Sequence, residues 1–171
     1  MEAPLAPTCL PPPDDHGSAP LAQLPAPEDD GGPAAPPVAG LLEIEFARPM
    51  IGWPRSTHFA VRGLGPGYEP YAALCSLDQP GLDFVVVPPG VLFEDYVIEI
   101  PPDDVETLGL TGPEETAVLV LVTLRDRPVP TVNLMGPLVV NRRTMRGLQV
   151  VLDASGYGSA VPVDAATARL A

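Results

Sequence analysis

Few side chains in this sequence of 171 residues could carry out covalent or acid–base chemistry. His16 and His58 are its histidines, Cys9 and Cys75 its cysteines, and every basic residue is an arginine. Cys75 and His58 with a nearby acid could form an activated thiol, since a thiolate nucleophile needs an adjacent base. The plainer reading is that His58 precedes an apolar strand as a surface group, and that Cys75 in LCSLD is a small apolar strand residue. Ser76 and Asp78 invite a hydrolase reading, yet neither a G-x-S-x-G elbow nor a strand-to-helix turn surrounds the serine. The glycines of RGLGPGYEP are interrupted by Pro66 and followed by no lysine, so they form turns and not a phosphate loop. The acid pairs Glu94-Asp95, Asp103-Asp104 and Glu114-Glu115 are sequence neighbours in loops or at a helix start, where solvated carboxylates are favoured. They lack histidines with metal-ligand spacing, so the expectation is a non-enzymatic chain with no cofactor and no metal.

A sharper question is posed by TVNLMGPLVVNRRTMRGLQVVL, residues 131–152. Asn133, Asn141 and Gln149 stand beside breaks in apolar runs, where short amides satisfy turn backbone. Arg142, Arg143 and Arg146 lie in NRRTMRG, which reads as a hairpin connection with Asn141 and Gly147 as its turn-competent residues. An RNA surface would need more cations and stacking aromatics.

The elements that must position these groups are mostly strands. LEIEF (42–46) alternates apolar and charged residues, and YVIEI (96–100) ends in the same period-two pattern of a half-buried strand. HFAV (58–61), YAALCSL (71–77), DFVVV (83–87), AVLVLVTL (117–124), PLVVN (137–141) and LQVVL (148–152) supply further strands, separated by Pro, Gly, Asp and Asn. About eight or nine strands at this spacing predict an all-β fold, a barrel or a sandwich, with one or two short helices. The first helix is expected in PPDDVETLGL, with Asp103 as N-cap, Glu106 completing a capping box and Gly109 ending it in a left-handed conformation. A single turn is expected at TGPEE.

Composition divides the chain. Residues 1–40 hold 11 of the 25 prolines, one β-branched aliphatic residue (Val38) and no Phe, Trp or Tyr, so they cannot bury enough apolar surface to offset ordering entropy. They are expected to form a disordered Pro-rich acidic tail, followed by a domain at 41–162 and a short C-terminal tail at 163–171. Residues 41–171 carry 16 acids against all nine arginines, a formal charge of −7. Such a surface disfavours direct nucleic-acid binding and steers in a basic protein. The longest apolar run, AVLVLV at 117–122, is far shorter than the roughly 20 residues of a membrane helix. The opening MEAPLAPTCLPPPDD lacks the basic and apolar regions of a signal peptide. A cytoplasmic protein without membrane contact is the expectation.

Several motifs, in order, resemble those of the flagellar assembly factor FliW family. TVNLMGPLVVN is similar to that family's T-V-N-L-x-A-P-hydrophobic-hydrophobic-x-N, and GLQVVL to its Gly-x-Gln-hydrophobic segment. IGWP (51–54), LCSLDQPGLDFVVVPP and FEDYVIEI match upstream motifs, with Trp53 for Phe, Cys75 for Gln and Gly136 for Ala as departures. The resemblance assigns motif positions to Gly52, Pro54, Ser76, Phe84 and Tyr96, and to Asn133, Pro137, Asn141 and Gln149. It implies a small antiparallel β-barrel-like domain that binds and antagonises the translational regulator CsrA and also binds flagellin, coupling flagellin synthesis to assembly. A surface for such partners is expected at the densest run of acids: Glu94, Asp95, Glu99, Asp103, Asp104 and Glu106. A small barrel enzyme or ligand binder using Cys75 and His58, and a purely structural β-domain, are the alternatives.

Deleting residues 1–38 is expected to leave cooperative unfolding intact and to move the melting temperature by less than about 2 °C. Calorimetry of the full and shortened chains checks this, and a large drop would show that the tail packs.

Overall fold

In the computed structural model, which describes residues 42–124, 129–153 and 155–163, the alternation of LEIEF becomes β1 (Leu42–Phe46). Its Ile44 and Phe46 point into the core while Leu42, Glu43 and Glu45 face water. The chain then folds into an antiparallel meander through β2 (His58–Gly63), β3 (Ala72–Ser76) and β4 (Asp83–Val87). Next come helix α1 (Pro102–Leu108), then β5 (Thr116–Thr123), β7 (Leu138–Asn141) and β8 (Arg146–Gln149).

β5 closes the structure because its two halves pair with different neighbours. Thr116–Leu119 pairs with β7, and Val120–Val122 pairs with β4. With β8 running parallel to β1, the ring β4-β3-β2-β1-β8-β7-β5 returns to β4 as a seven-stranded barrel. Two-residue strands β6 (Thr131–Val132) and β9 (Val161–Pro162) extend it beyond the end of β5. The expected all-β barrel is therefore present, with one parallel junction that no strand pattern announces.

Phe46 and Phe59 lie at the barrel centre with ring centroids 4.9 Å apart, among Ile44, Leu74, Val86 and Leu138. Trp53 meets Phe84 edge-on at 4.7 Å, so the aromatic at this motif position packs against the barrel from the turn that contains Gly52, whose φ is 90°. β7 reads as a continuous apolar run because both its faces are covered. Leu138 and Val140 join the interior, while Val139 joins Leu108 of α1, Leu148 and Val150 outside it.

Four expectations are corrected. YVIEI does not join the sheet: residues 96–100 keep the alternation, with Val97 and Glu99 exposed and Ile98 and Ile100 half-buried, but among the described residues no strand pairs with them. The Tyr157 hydroxyl takes the place of a neighbouring strand at Val97, accepting from its N–H at 3.2 Å and donating to its carbonyl at 2.9 Å. Pro101 and Pro102 then end the extended stretch by starting the helix. The helix cap is Pro101 with no side-chain bond, so Asp103 and Glu106 form no capping box; a proline at N1 removes an N–H that needed no partner. The strand expected at 148–152 lies at 146–149, although Val150 and Leu152 still donate to the carbonyls of Pro137 and Met135. Val163, assigned to the C-terminal tail, is buried beside Leu134 and Val132. The other residues of the two expected tails lie outside the described residues.

The hairpin between β7 and β8 also differs from expectation. Its left-handed residue is Met145, with φ 56°, while Gly147 sits within β8. A Cβ at Gly147 would stand 3.0 Å from both Ile44 and the Phe46 ring, so glycine here allows the β1–β8 junction to close over the core. Gly147→Ala is expected to cost about 1–3 kcal/mol by overpacking. Denaturant melts of wild type and variant check this; an unchanged midpoint would show that the junction has room to spare.

Candidate functional site

Sequence-adjacent groups that could do chemistry are held apart by the fold. Asp78 Oδ2 accepts from the backbone N–H groups of Thr57 (2.7 Å) and His58 (2.8 Å), and its Oδ1 stands 3.2 Å from His58 Nδ1. Those two backbone donors, chiefly, hold its carboxyl below the usual carboxylate range. The Ser76 hydroxyl faces the other way, donating to Ser56 Oγ and accepting from the Gln79 N–H at 3.1 Å. Gln79 Nε2 also reaches Ser56 Oγ. These are the bonds of a tight turn, and Ser76 and Asp78 do not form a dyad.

Cys75 is half-buried on β3, and its Sγ accepts from Arg62 Nε at 3.2 Å. Burial, the largest influence, pushes its thiol up from the ordinary value, partly offset by the Arg62 hydrogen bond. A nucleophilic cysteine needs the opposite shift. His58 is engaged with Asp78 and Thr57, so the convergence required of a Cys75–His58 pair is not made. Among the described residues, no group of three or more His, Cys, Asp or Glu side chains could hold a metal ion.

The polar residues of the 131–152 stretch build its turns. Asn133 Oδ1 accepts from the Gly136 N–H at 2.9 Å. Gln149 Nε2 donates to the Gly136 carbonyl at 3.2 Å, and its Oε1 accepts from the Ile51 N–H at 3.1 Å, joining β8 to the turn before Trp53. Gly136 lies between these two amides, and the carbonyl of the next residue, Pro137, accepts from Val150. Arg143 Nε bonds Glu115 Oε1 at 3.0 Å, while Arg142 and Arg146 are exposed.

Asn141 is fully buried and uses every hydrogen-bonding position of its amide. Nδ2 donates to the carbonyls of Leu108 (3.0 Å) and Gly109 (3.2 Å), where α1 ends. Oδ1 accepts from the N–H groups of Arg143 (2.9 Å) and Thr144 (3.2 Å) in its own hairpin turn. The helix terminus is further closed by Gly109, whose φ is 63°, and by the Leu110 N–H donating to Val105. At the other end of α1, Arg48 Nη2 donates to Asp104 Oδ1 at 2.6 Å.

These two clips position the acidic lip that the sequence singles out. Glu94, Asp95, Glu99, Asp103 and Glu106 are exposed along residues 94–106. Asp104 departs from that expectation: it is buried and paired with Arg48, so its carboxylate belongs to the helix attachment. Tyr96 anchors the segment by donating to the Leu134 carbonyl at 2.7 Å, with its ring 4.7 Å from that of Tyr157. Burial, and then Tyr157, push its hydroxyl up to about 12, so it remains a donor at physiological pH. A groove of about 570 Å³ opens beside this lip, lined by Ile98, Glu99, Ile100, Val105, Leu110 and Val118 among others. Nothing in the sequence pattern marked it, because its walls come from three separate segments.

Fold and site together define a small closed β-barrel with five exposed acids along a lip held by one helix. The FliW protein family profile matches residues 38–163, and the chain belongs to that family. It is 37% identical over 125 residues to the flagellar assembly factor FliW of Syntrophus aciditrophicus, covering 69% of this chain and 78% of that protein. It is 32% identical over 121 residues to that of Bacillus subtilis, covering 70% and 84%. A crystal structure of the flagellar assembly factor FliW superposes with a TM-score of 0.67 at 28% identity, over 71% of this chain and 85% of that one.

Asn141→Ala is expected to destabilise the protein by about 2–4 kcal/mol, since it leaves two helix-terminal carbonyls and two turn N–H groups without their partner in a buried setting. Chemical denaturation measures it; a loss under about 0.5 kcal/mol would show that the helix end finds other partners.

Proposed function

We propose that this protein is a non-enzymatic, cytoplasmic flagellar assembly factor that binds and antagonises the translational regulator CsrA and also binds flagellin. The observation that carries this reading is family membership across the whole barrel, residues 38–163. Two further features support it. The groups that could make the barrel an enzyme are occupied in turns and strand contacts, and the thiol is shifted away from reactivity. The exposed acids at Glu94, Asp95, Glu99, Asp103 and Glu106 offer a field complementary to a basic RNA-binding partner. In this reading flagellin and CsrA compete, so accumulating flagellin releases CsrA to its message.

No helix among the described residues is long and apolar enough to cross a membrane. The barrel interior is filled by Phe46, Phe59, Leu74 and Leu138, which leaves ligand binding there without space and favours recognition at the outer surface.

Purified protein is expected to bind the host's CsrA and the host's flagellin, with flagellin displacing CsrA. Steering acts on association and is screened over roughly 8 Å at physiological salt, so CsrA capture slows as salt rises. Replacing Glu94, Asp95 and Glu106 by Lys is expected to slow capture at low salt and flatten that dependence, with dissociation changed far less. Stopped-flow association at several salt concentrations measures both. An unaltered rate in the triple variant would remove the acidic lip from the encounter, and no binding of either partner at micromolar concentration would overturn the assignment.

A further inference from the structure

The barrel has one incomplete seam, at the first half of β5. One edge of Thr116–Leu119 is covered by β7, but the β4 ladder on the other edge stops at the pair Val87–Val120. Continuing that register places Pro89 opposite Val118. Proline has no N–H to donate, and the Pro89 carbonyl is already accepting from Leu92 and Phe93 in a 3-10 turn, Pro89–Val91. On the β7 side, Arg142 donates to the Glu115 carbonyl at 2.7 Å. Strand alternation therefore turns the backbone groups of Ala117 and Leu119 toward β7, and those of Thr116 and Val118 away from it; the Thr116 N–H is taken by the Pro113 carbonyl, which leaves the Thr116 carbonyl and the Val118 N–H and carbonyl at the open edge.

The groove of about 570 Å³ lies at this edge, with Thr116 and Val118 in one wall and Ile98 and Ile100 in the other. Among the described residues, no hydrogen bond engages the backbone of Ile98, Glu99 or Ile100. The groove thus presents strand-like backbone and apolar side chains together, which is what β-strand addition requires: main-chain bonds for affinity and alternate pockets for side-chain choice. Its charged lining residue is Glu99, and Glu106 and Glu114 are exposed next in sequence to the lining residues Val105 and Pro113.

We propose that the open edge of β5 at Thr116–Leu119 is a docking site for an extended segment of a partner protein in which apolar and basic residues alternate. The apolar side chains enter the groove against Ile98, Ile100, Val105 and Leu110, and the basic ones meet Glu99 and its acidic neighbours. The inference concerns the chemistry of the docked segment and stands without either partner named above.

The test uses the full chain and three short synthetic peptides: valine alternating with arginine, the same composition in two blocks, and valine alternating with glutamate. The first is expected to bind at least about tenfold more tightly than the other two, to slow hydrogen exchange at the Val118 amide, and to lose about fivefold to tenfold in affinity on Glu99→Lys, an exposed site. Equal binding of the alternating and block arginine peptides, or binding without slowed exchange at Val118, would reduce the contact to general charge attraction and overturn the proposal. So would a Val118 amide already protected in the free chain and released on deletion of residues 1–38, which would make the chain's own tail the occupant.

Discussion

The lip depends on one buried amide. Asn141 ends β7, and it closes both the hairpin that follows it and the end of α1, whose Leu108 carbonyl lies 33 residues earlier in sequence. An amide has two donors and two acceptor positions, and all are used here, which makes the site geometrically demanding. Aspartate in its place would lose the donors, and serine could not span the distance. Because a helix C-terminus has carbonyls that the helix itself cannot satisfy, their capture by Asn141 sets where α1 lies on the outer face of β7 and β8.

From that constraint the rest of the lip follows. α1 is only seven residues long, too short to persist without tertiary support. Leu108 inserts against Val139, Leu148 and Val150, Asn141 holds one end, and the Arg48–Asp104 pair holds the other. The pair is half-exposed on the arginine side, so its contribution is positional more than energetic. Residues 96–100 are then stretched between Tyr157 and Pro101 without a ladder. This leaves a seam in which β5 has lost β4 and gained no replacement. In an otherwise closed barrel, an open edge beside apolar side chains is the place where another chain can add without disturbing the core.

Much of the barrel was legible because its strands bury one face, so LEIEF, HFAV and DFVVV declared themselves by alternation or by apolar runs. The two-residue strands β6 and β9 left no such period; they exist because distant segments happen to pair at the end of β5. YVIEI shows the opposite failure: alternation reports that one face is buried, and says nothing of whether a neighbouring strand is there to pair. The helix was placed correctly, and Gly109 ends it as expected, but Pro101 took the cap that Asp103 was expected to supply. Asp104 looked like one more surface acid until Arg48, 56 residues away, was brought to it. Asn141 was legible as a turn residue; that it also ends α1 depended on a contact between segments that sequence spacing does not encode.

We propose that the acidic lip fixed by Asn141, with the seam beside it, is the face this barrel presents to its partners. Hydrogen exchange of the full chain with and without the host's CsrA tests it most directly. Slowed exchange is expected to concentrate in residues 94–118, with β2 and β3 unchanged. A footprint confined to β2 and β3, with 94–118 exchanging as in the free protein, would contradict it.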